Sequence, residues 1–175
     1  MSTLITSTAQ IGTIKDTAGN NTAITIASTG LLTTGVKHAF YMYRNAAQTL
    51  VHAGGPTLVQ FDAQRINEGN GITLGASAKY TVPSGAAGMY IIHGHGRLNT
   101  GTDGNTSLGL YLNGSGTSVN YHYNGYYDAM SVTKLINLAD GDFVQMKMAN
   151  SIGSNTTIGQ PDAGDTVFFW GYRLG

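Results

Sequence analysis

A chain of 175 residues with 9 basic and 9 acidic side chains has no net charge, and charged residues make up only 10% of it. An ordinary domain carries about 25%. With no basic patch there is nothing to hold a phosphate backbone, which argues against nucleic acid as a partner, and the absence of cysteine removes disulfides and thiolate metal sites. Its 25 glycines and abundant Ser, Thr and Asn imply a neutral coat of hydroxyls and amides, as in secreted adhesins, fibres and capsid proteins.

The opening Met1-Ser2-Thr3-Leu4-Ile5-Thr6 has neither the basic nor the apolar run of a signal peptide, and no apolar stretch is long enough to span a bilayer. The expectation is a protein made in a cytoplasm that works outside it, as a virion component released by lysis does, with no membrane insertion.

Residues 1–35 contain no aromatic side chain. Ile11-Gly12-Thr13-Ile14, then Asp16 to Asn21, then Ala23-Ile24-Thr25-Ile26-Ala27 read as strand, turn and strand, with Gly19-Asn20 able to take positive φ. Ile11, Ile14, Ile24 and Ile26 are too few to build a core, so this segment is expected to be an attachment arm ordered against a neighbour. Residues 36–55 read as a connecting segment. Phe40 to Tyr43 alternates like a strand, whereas Ala46 to Leu50 suits a helical turn or a loop. From 56 to 175 the pattern is continuous β: short alternating runs broken by Gly or Asn about every eight to twelve residues.

Leu58 to Asp62, the polar approach Asn67 to Leu74, the strand Tyr80 to Pro83 and the glycine-opened strand Gly88 to Ile92 come first in a recognisable order. Ser107 to Gly114, then Leu135 to Met148 around Asp140-Gly141-Asp142, then the closing Val167 to Leu174 complete it. Together they resemble the jelly roll of the complement globular-head and tumour necrosis factor (TNF) superfamily. The resemblance implies an all-β, antiparallel jelly-roll sandwich, a homotrimer and a non-enzymatic protein, with Tyr90, His93, Phe143, Phe168 and Trp170 at the trimer interface. In this reading Leu135 to Met148 is the penultimate hairpin and Leu58 to Asp62 the first strand. The closing strand is more aromatic than is usual in that family, and the β arm stands where its collagen stalk would be. Ile14 to Asn20 resembles the opening of small structural proteins of marine bacteriophages.

His93-Gly94-His95 is the sharpest chemical feature. On a strand, residues i and i+2 share a face. The resemblance turns His93 toward a threefold axis, where six imidazole nitrogens would suit iron, nickel or zinc. The alternative is a watered polar interface. Tyr121, Tyr123, Tyr126 and Tyr127 surround Asn124-Gly125, read as a hairpin turn, and they either contact a sugar or receptor or pair across strands. Asp103, Asp162 and Asp165 lie in polar loops that could coordinate calcium, although solvated turn aspartates are far commoner in such loops. No nucleophile elbow, zincin helix or phosphate loop occurs, and Glu68 is the only glutamate, so no catalytic residue and no organic cofactor is expected.

The function expected from these features is that of a bacteriophage virion protein. It would be a capsid decoration, cement or head-fibre trimer held through its arm to the major capsid protein or another virion protein. The alternative is a short tail fibre or spike whose head binds a host receptor or surface glycan.

Overall fold

The computed structural model describes residues 13–15, 22–26, 32–34, 38–52, 54–99, 105–123, 129–151, 153–159 and 166–174, with the backbone alone in 13–34 and 117–123. The chain divides into two compact units, Met1–Lys37 and His38–Gly175.

In the first unit β1 (Thr13–Lys15), β2 (Thr22–Ile26) and β3 (Leu32–Thr34) form an antiparallel meander, with a register shift after Ile14. Ile14, Ile24 and Ile26 lie on these strands, whereas Ile11 is outside the described residues.

The second unit is a sandwich. Its first sheet takes β4 (Ala39–Tyr43), β7 (Ala63–Asn67), β10 (Gly88–Arg97), β13 (Ala129–Leu138) and β16 (Phe168–Leu174) in the order β13-β10-β16-β4-β7. Its second takes β8 (Ile72–Thr73), β9 (Lys79–Thr81), β11 (Asn105–Leu112), β12 (Ser115–Tyr123) and β14 (Phe143–Asn150) in the order β12-β11-β14-β9-β8, and β6 (Thr57–Leu58) adds a short rung to β14. β5 (Gln48–Leu50) pairs with β15 (Thr156–Ile158) beside them. All the ladders of named strands are antiparallel, and the chain passes from sheet to sheet between β6 and β7, β7 and β8, β9 and β10, β10 and β11, β12 and β13, and β13 and β14. This is a jelly roll.

Period-2 alternation builds the core. Phe40 and Met42 of β4, Tyr90 and Ile92 of β10, and Phe169 of β16 face Tyr80, Leu108, Leu110, Val144, Met146 and Met148 of the other sheet, all nearly inaccessible to solvent. Phe40 stacks on Tyr80 at 4.1 Å between centroids and meets Phe169 edge-on at 5.1 Å, and Phe61 stacks on Phe169 at 5.9 Å. Gly94 and Gly96 belong to this inner face. A methyl at either would meet the thioether sulfur of Met146 or Met148 at 2.7 or 2.6 Å. Gly171 is similarly confined, because a methyl there would overlap the Phe40 ring and Ile92. Overpacking of this kind costs about 1–3 kcal/mol, so Gly171→Ala should lower the unfolding free energy by that amount, read as a lower denaturant midpoint at unchanged slope.

Four expectations are corrected. The first strand of the sandwich is β4, paired along its length with β16, and the segment Leu58 to Asp62 contributes only the end of β6 before running irregularly. Val59 and Phe61 are buried there without joining a ladder for more than a rung, so their hydrophobicity reports core and not strand. The compact unit therefore begins at His38, and 36–55, expected to connect, supplies β4 and β5. Leu135 to Met148 is not a hairpin, since β13 and β14 belong to opposite sheets. The chain around Asn124-Gly125 likewise joins β12 and β13 of different sheets, and residues 124–128 themselves lie outside the described residues.

The Asp140-Gly141-Asp142 turn is a clasp. Asp140 accepts hydrogen bonds from the backbone N–H groups of Gly85, Ala86 and Ala87 at 2.7, 3.1 and 2.8 Å, tying the β9–β10 crossing to the β13–β14 crossing. Asp142 accepts from Asn113 Nδ2 and from the Ala139 N–H, both at 2.8 Å, and Asn113 Oδ1 accepts from the Phe143 N–H at 2.9 Å. Gly141 closes the turn at φ +82, a conformation that favours glycine. The donors, Gly85 foremost for Asp140 and Asn113 for Asp142, hold both carboxyls below the ordinary carboxylate range. Groups whose folded pKa is depressed stabilise fully above the unfolded pKa of about 3.9 and lose that contribution as pH falls through the lower folded value. Asp140→Asn should thus lower the melting temperature at pH 7 and flatten its decline below about pH 4, as read by calorimetry at stepped pH.

Candidate functional site: an aromatic sheet face

The same alternation that fills the core leaves a second row of side chains on the outside of the first sheet. Along β10 the outward residues are Met89, Ile91, His93, His95 and Arg97. Register aligns His93 with Trp170 on one side and Thr133 on the other, and His95 with Phe168 and Ser131. Trp170 is in turn opposite Tyr41, and Phe168 opposite Tyr43. The result is a ring network across three strands. Phe168 stacks on Tyr41 at 5.7 Å, on His93 at 5.8 Å and on His95 at 4.8 Å, while Trp170 stacks on His93 at 5.3 Å. On β7, the Arg65 guanidinium lies over the rings of Tyr41 and Tyr43, 6.0 and 5.2 Å from their centroids.

Toward the start of β10 the face turns aliphatic, with Met89 beside Leu174 and Ile91 between Tyr172 and Leu135. Leu135 is 58% exposed and Leu174 46%, and of the large exposed hydrophobic residues among those described, all but Val51 lie on this sheet. Such clustering marks an interaction surface. None of the sheet's five strands contains an aspartate or glutamate. Burial lowers the pKa of His93, and burial with the nearby His93 charge lowers that of His95. His93 Nδ1 lies 2.8 Å from Thr133 Oγ1.

The outer face of the second sheet is different. Among the described side chains, its outward rings Phe143 and Tyr111 are each covered by a cation: Lys79 Nζ stands 4.8 Å from the Phe143 centroid and Lys147 Nζ 4.4 Å from that of Tyr111. These rings already have partners and a wettable cover.

Of the residues expected at an interface, the structure groups His93, Phe168 and Trp170 on one face. Tyr90 is corrected: it is fully buried in its own chain's core, its hydroxyl donating to the Ala86 carbonyl at 2.8 Å. Phe143 is on the opposite sheet. Sequence reading missed Tyr41, Tyr43, Arg65, Thr133, Leu135 and Tyr172. The alternation of Tyr41 and Tyr43 with Phe40 and Met42, and of Phe168, Trp170 and Tyr172 with Phe169 and Gly171, carried that information. Tyr121 and Tyr123 are on β12, an edge strand, while Tyr126, Tyr127, Asp103, Asp162 and Asp165 lie outside the described residues.

Among the described residues no three His, Cys, Asp or Glu side chains gather as metal ligands within one chain, and no helix is long and apolar enough to cross a membrane.

No protein-family model matches the chain, and neither does any curated protein sequence. Solved structures do. The globular domain of zebrafish complement 1qA matches with a TM-score of 0.56 and 14% identity, over 79% of this chain and 98% of that one. Murine APRIL matches at 0.59 and 13%, over 79% and 99%, and the Eiger TNF of S. frugiperda at 0.59 and 11%, over 81% and 94%. The chain thus has the C1q and TNF jelly-roll fold.

Proposed function

We propose that this protein is a non-enzymatic homotrimer whose copies meet through the outer face of the β13-β10-β16-β4-β7 sheet, and that it serves as a structural component of a bacteriophage virion. The observation that carries the trimer is that face itself. Rings and aliphatic side chains cover a sheet whose inner face already has a complete core, and a second or third copy is the partner that removes them from water. The absence of acidic residues on its strands leaves aromatic and aliphatic burial, and not ion pairing, as the driving term.

The virion assignment is supported by the neutral polar composition, by the resemblance of Ile14 to Asn20 to the opening of phage structural proteins, and by an aromatic-free segment 1–35 that suits an attachment arm. A decoration, cement or head-fibre role, with the arm held by the major capsid protein or another virion protein, fits a compact head on a short arm. Quantitative mass spectrometry of purified virions tests this. Copy numbers comparable to the major capsid protein support capsid decoration. Copies near those of the portal favour a tail fibre that binds a host receptor or glycan, and absence from the particle overturns the virion reading.

A further inference from the structure

Building on the trimer reading above, we propose that His93 and His95 form one third of a transition-metal site, completed by the same pair from two further copies of this chain. The ligand class is a divalent ion that prefers imidazole, such as zinc, nickel, copper or iron.

Four observations point to it. The two imidazoles occupy positions i and i+2 of β10 and so share the outward face, separated by two residue rises of about 3.3 Å each. Their facing is set from behind, because Gly94 and Gly96 alternate with them on the inner face, where even a methyl would come within 2.7 and 2.6 Å of the Met146 and Met148 sulfurs. A one-residue slip would drive imidazoles into that core.

The rings are also oriented. Trp170 and Phe168 stack on His93 at 5.3 and 5.8 Å, and Phe168 stacks on His95 at 4.8 Å. Thr133 Oγ1 lies 2.8 Å from His93 Nδ1, and in the tautomer that donates from Nδ1 to that hydroxyl Nε2 is left for a ligand. A ligating histidine characteristically has its second nitrogen held in this way.

Third, the rings and aliphatic side chains beside the pair carry no anion, while the cations Arg97, next outward on β10, and Arg65, over Tyr41 and Tyr43, stand at one end. Ile91, Leu135 and Tyr172 lie below, Phe168, Tyr41 and Tyr43 above, and no carboxylate stands on any of the five strands. Once a neighbouring copy covers this face, imidazole nitrogens without partners are costly. A metal ion satisfies them, and an all-nitrogen donor set selects late transition metals over calcium or magnesium.

Fourth, one chain brings two donors and gathers no third among the described residues. Metal shells of this class take about four to six. The site is therefore incomplete in a single copy and complete in three.

The test uses the untagged full chain, stripped with chelator and titrated with Zn²⁺ and separately with Ni²⁺. Calorimetry gives affinity, native mass spectrometry gives stoichiometry and sedimentation gives oligomeric state. The expected result is one ion per trimer, with affinity lowered at least about 100-fold in His93→Gln and in His95→Gln and unchanged in His52→Gln, an exposed histidine elsewhere. Thr133→Val, which leaves both ligands in place, should cost about 10- to 100-fold in affinity at unchanged stoichiometry, so the proposal is still tested if a histidine variant fails to fold. A trimer that binds neither ion overturns the metal site and leaves the trimer standing. One ion per single chain, or binding indifferent to His93 and His95, overturns it as well. A chain that stays monomeric with and without metal overturns both readings.

Discussion

Trp170→Glu is expected to convert the protein from a trimer to a folded monomer. Trp170 is half-buried on the outer face, stacked on His93 and aligned with Tyr41 across the β16–β4 ladder. A carboxylate there would be solvated in the single chain but desolvated against a neighbour, and the Arg65 guanidinium two strands away is already engaged over the rings of Tyr41 and Tyr43. Loss of a central aromatic anchor costs about 2 kcal/mol or more per copy. Summed over three copies, at about 1.4 kcal/mol per tenfold, this shifts the trimer equilibrium by about four powers of ten. Sedimentation at micromolar concentration should show the monomer, and circular dichroism should show the wild-type strand content.

The wild type offers an independent readout, since Trp170 is the chain's one tryptophan. Its emission should move to longer wavelength on dilution as the trimer dissociates and the indole meets water. Emission that does not change with concentration, in a chain that sediments as a monomer, would show that this face has no partner of its own kind.

Much of this fold could be read from local chemistry. Gly88 opening β10, the Asp140-Gly141-Asp142 turn and the Asn113-Gly114 turn, with φ +49 and +85, are set by backbone demands that few residues meet, so the residue types reveal the turns. Which strands pair was not legible in the same way. β13 and β14 are joined by a tight turn yet lie in opposite sheets, because Asp140 ties their turn to the β9–β10 crossing through contacts some 55 residues apart in sequence. β4 reads as a strand but falls in the segment expected to connect, for a similar reason. Its partner β16 is at the far end of the chain, and nothing local distinguishes a strand of the head from a connector. His93 and His95 could be placed on one face from their spacing alone. The ring stack that makes this face a surface depends on register among β4, β10 and β16, which no single segment carries. Tyr90 shows the opposite failure: an aromatic residue in the right strand, assigned to an interface, that its parity sends into the core.

Adjacent phenylalanines make that parity measurable. Phe169→Ala should destabilise the fold by about 3–5 kcal/mol, because Phe169 is fully buried and packs edge-on against Phe40 and stacked on Phe61. For a unit of this size that is a fall in melting temperature of about 10 °C or more, present at every protein concentration and in a monomeric Trp170→Glu background. Phe168→Ala removes a ring of the same size one residue earlier, but its partners are Tyr41, His93 and His95 on the outer face. In the monomeric background it should cost under about 1 kcal/mol, as a surface change does. In the wild-type background its effect should grow with protein concentration, since association stabilises by mass action. Chemical denaturation of both variants in both backgrounds separates the two roles. A loss at Phe168 as large in the monomer as at Phe169 would mean that the outer rings stabilise the single chain, and the interface would then have to be sought elsewhere on the sandwich.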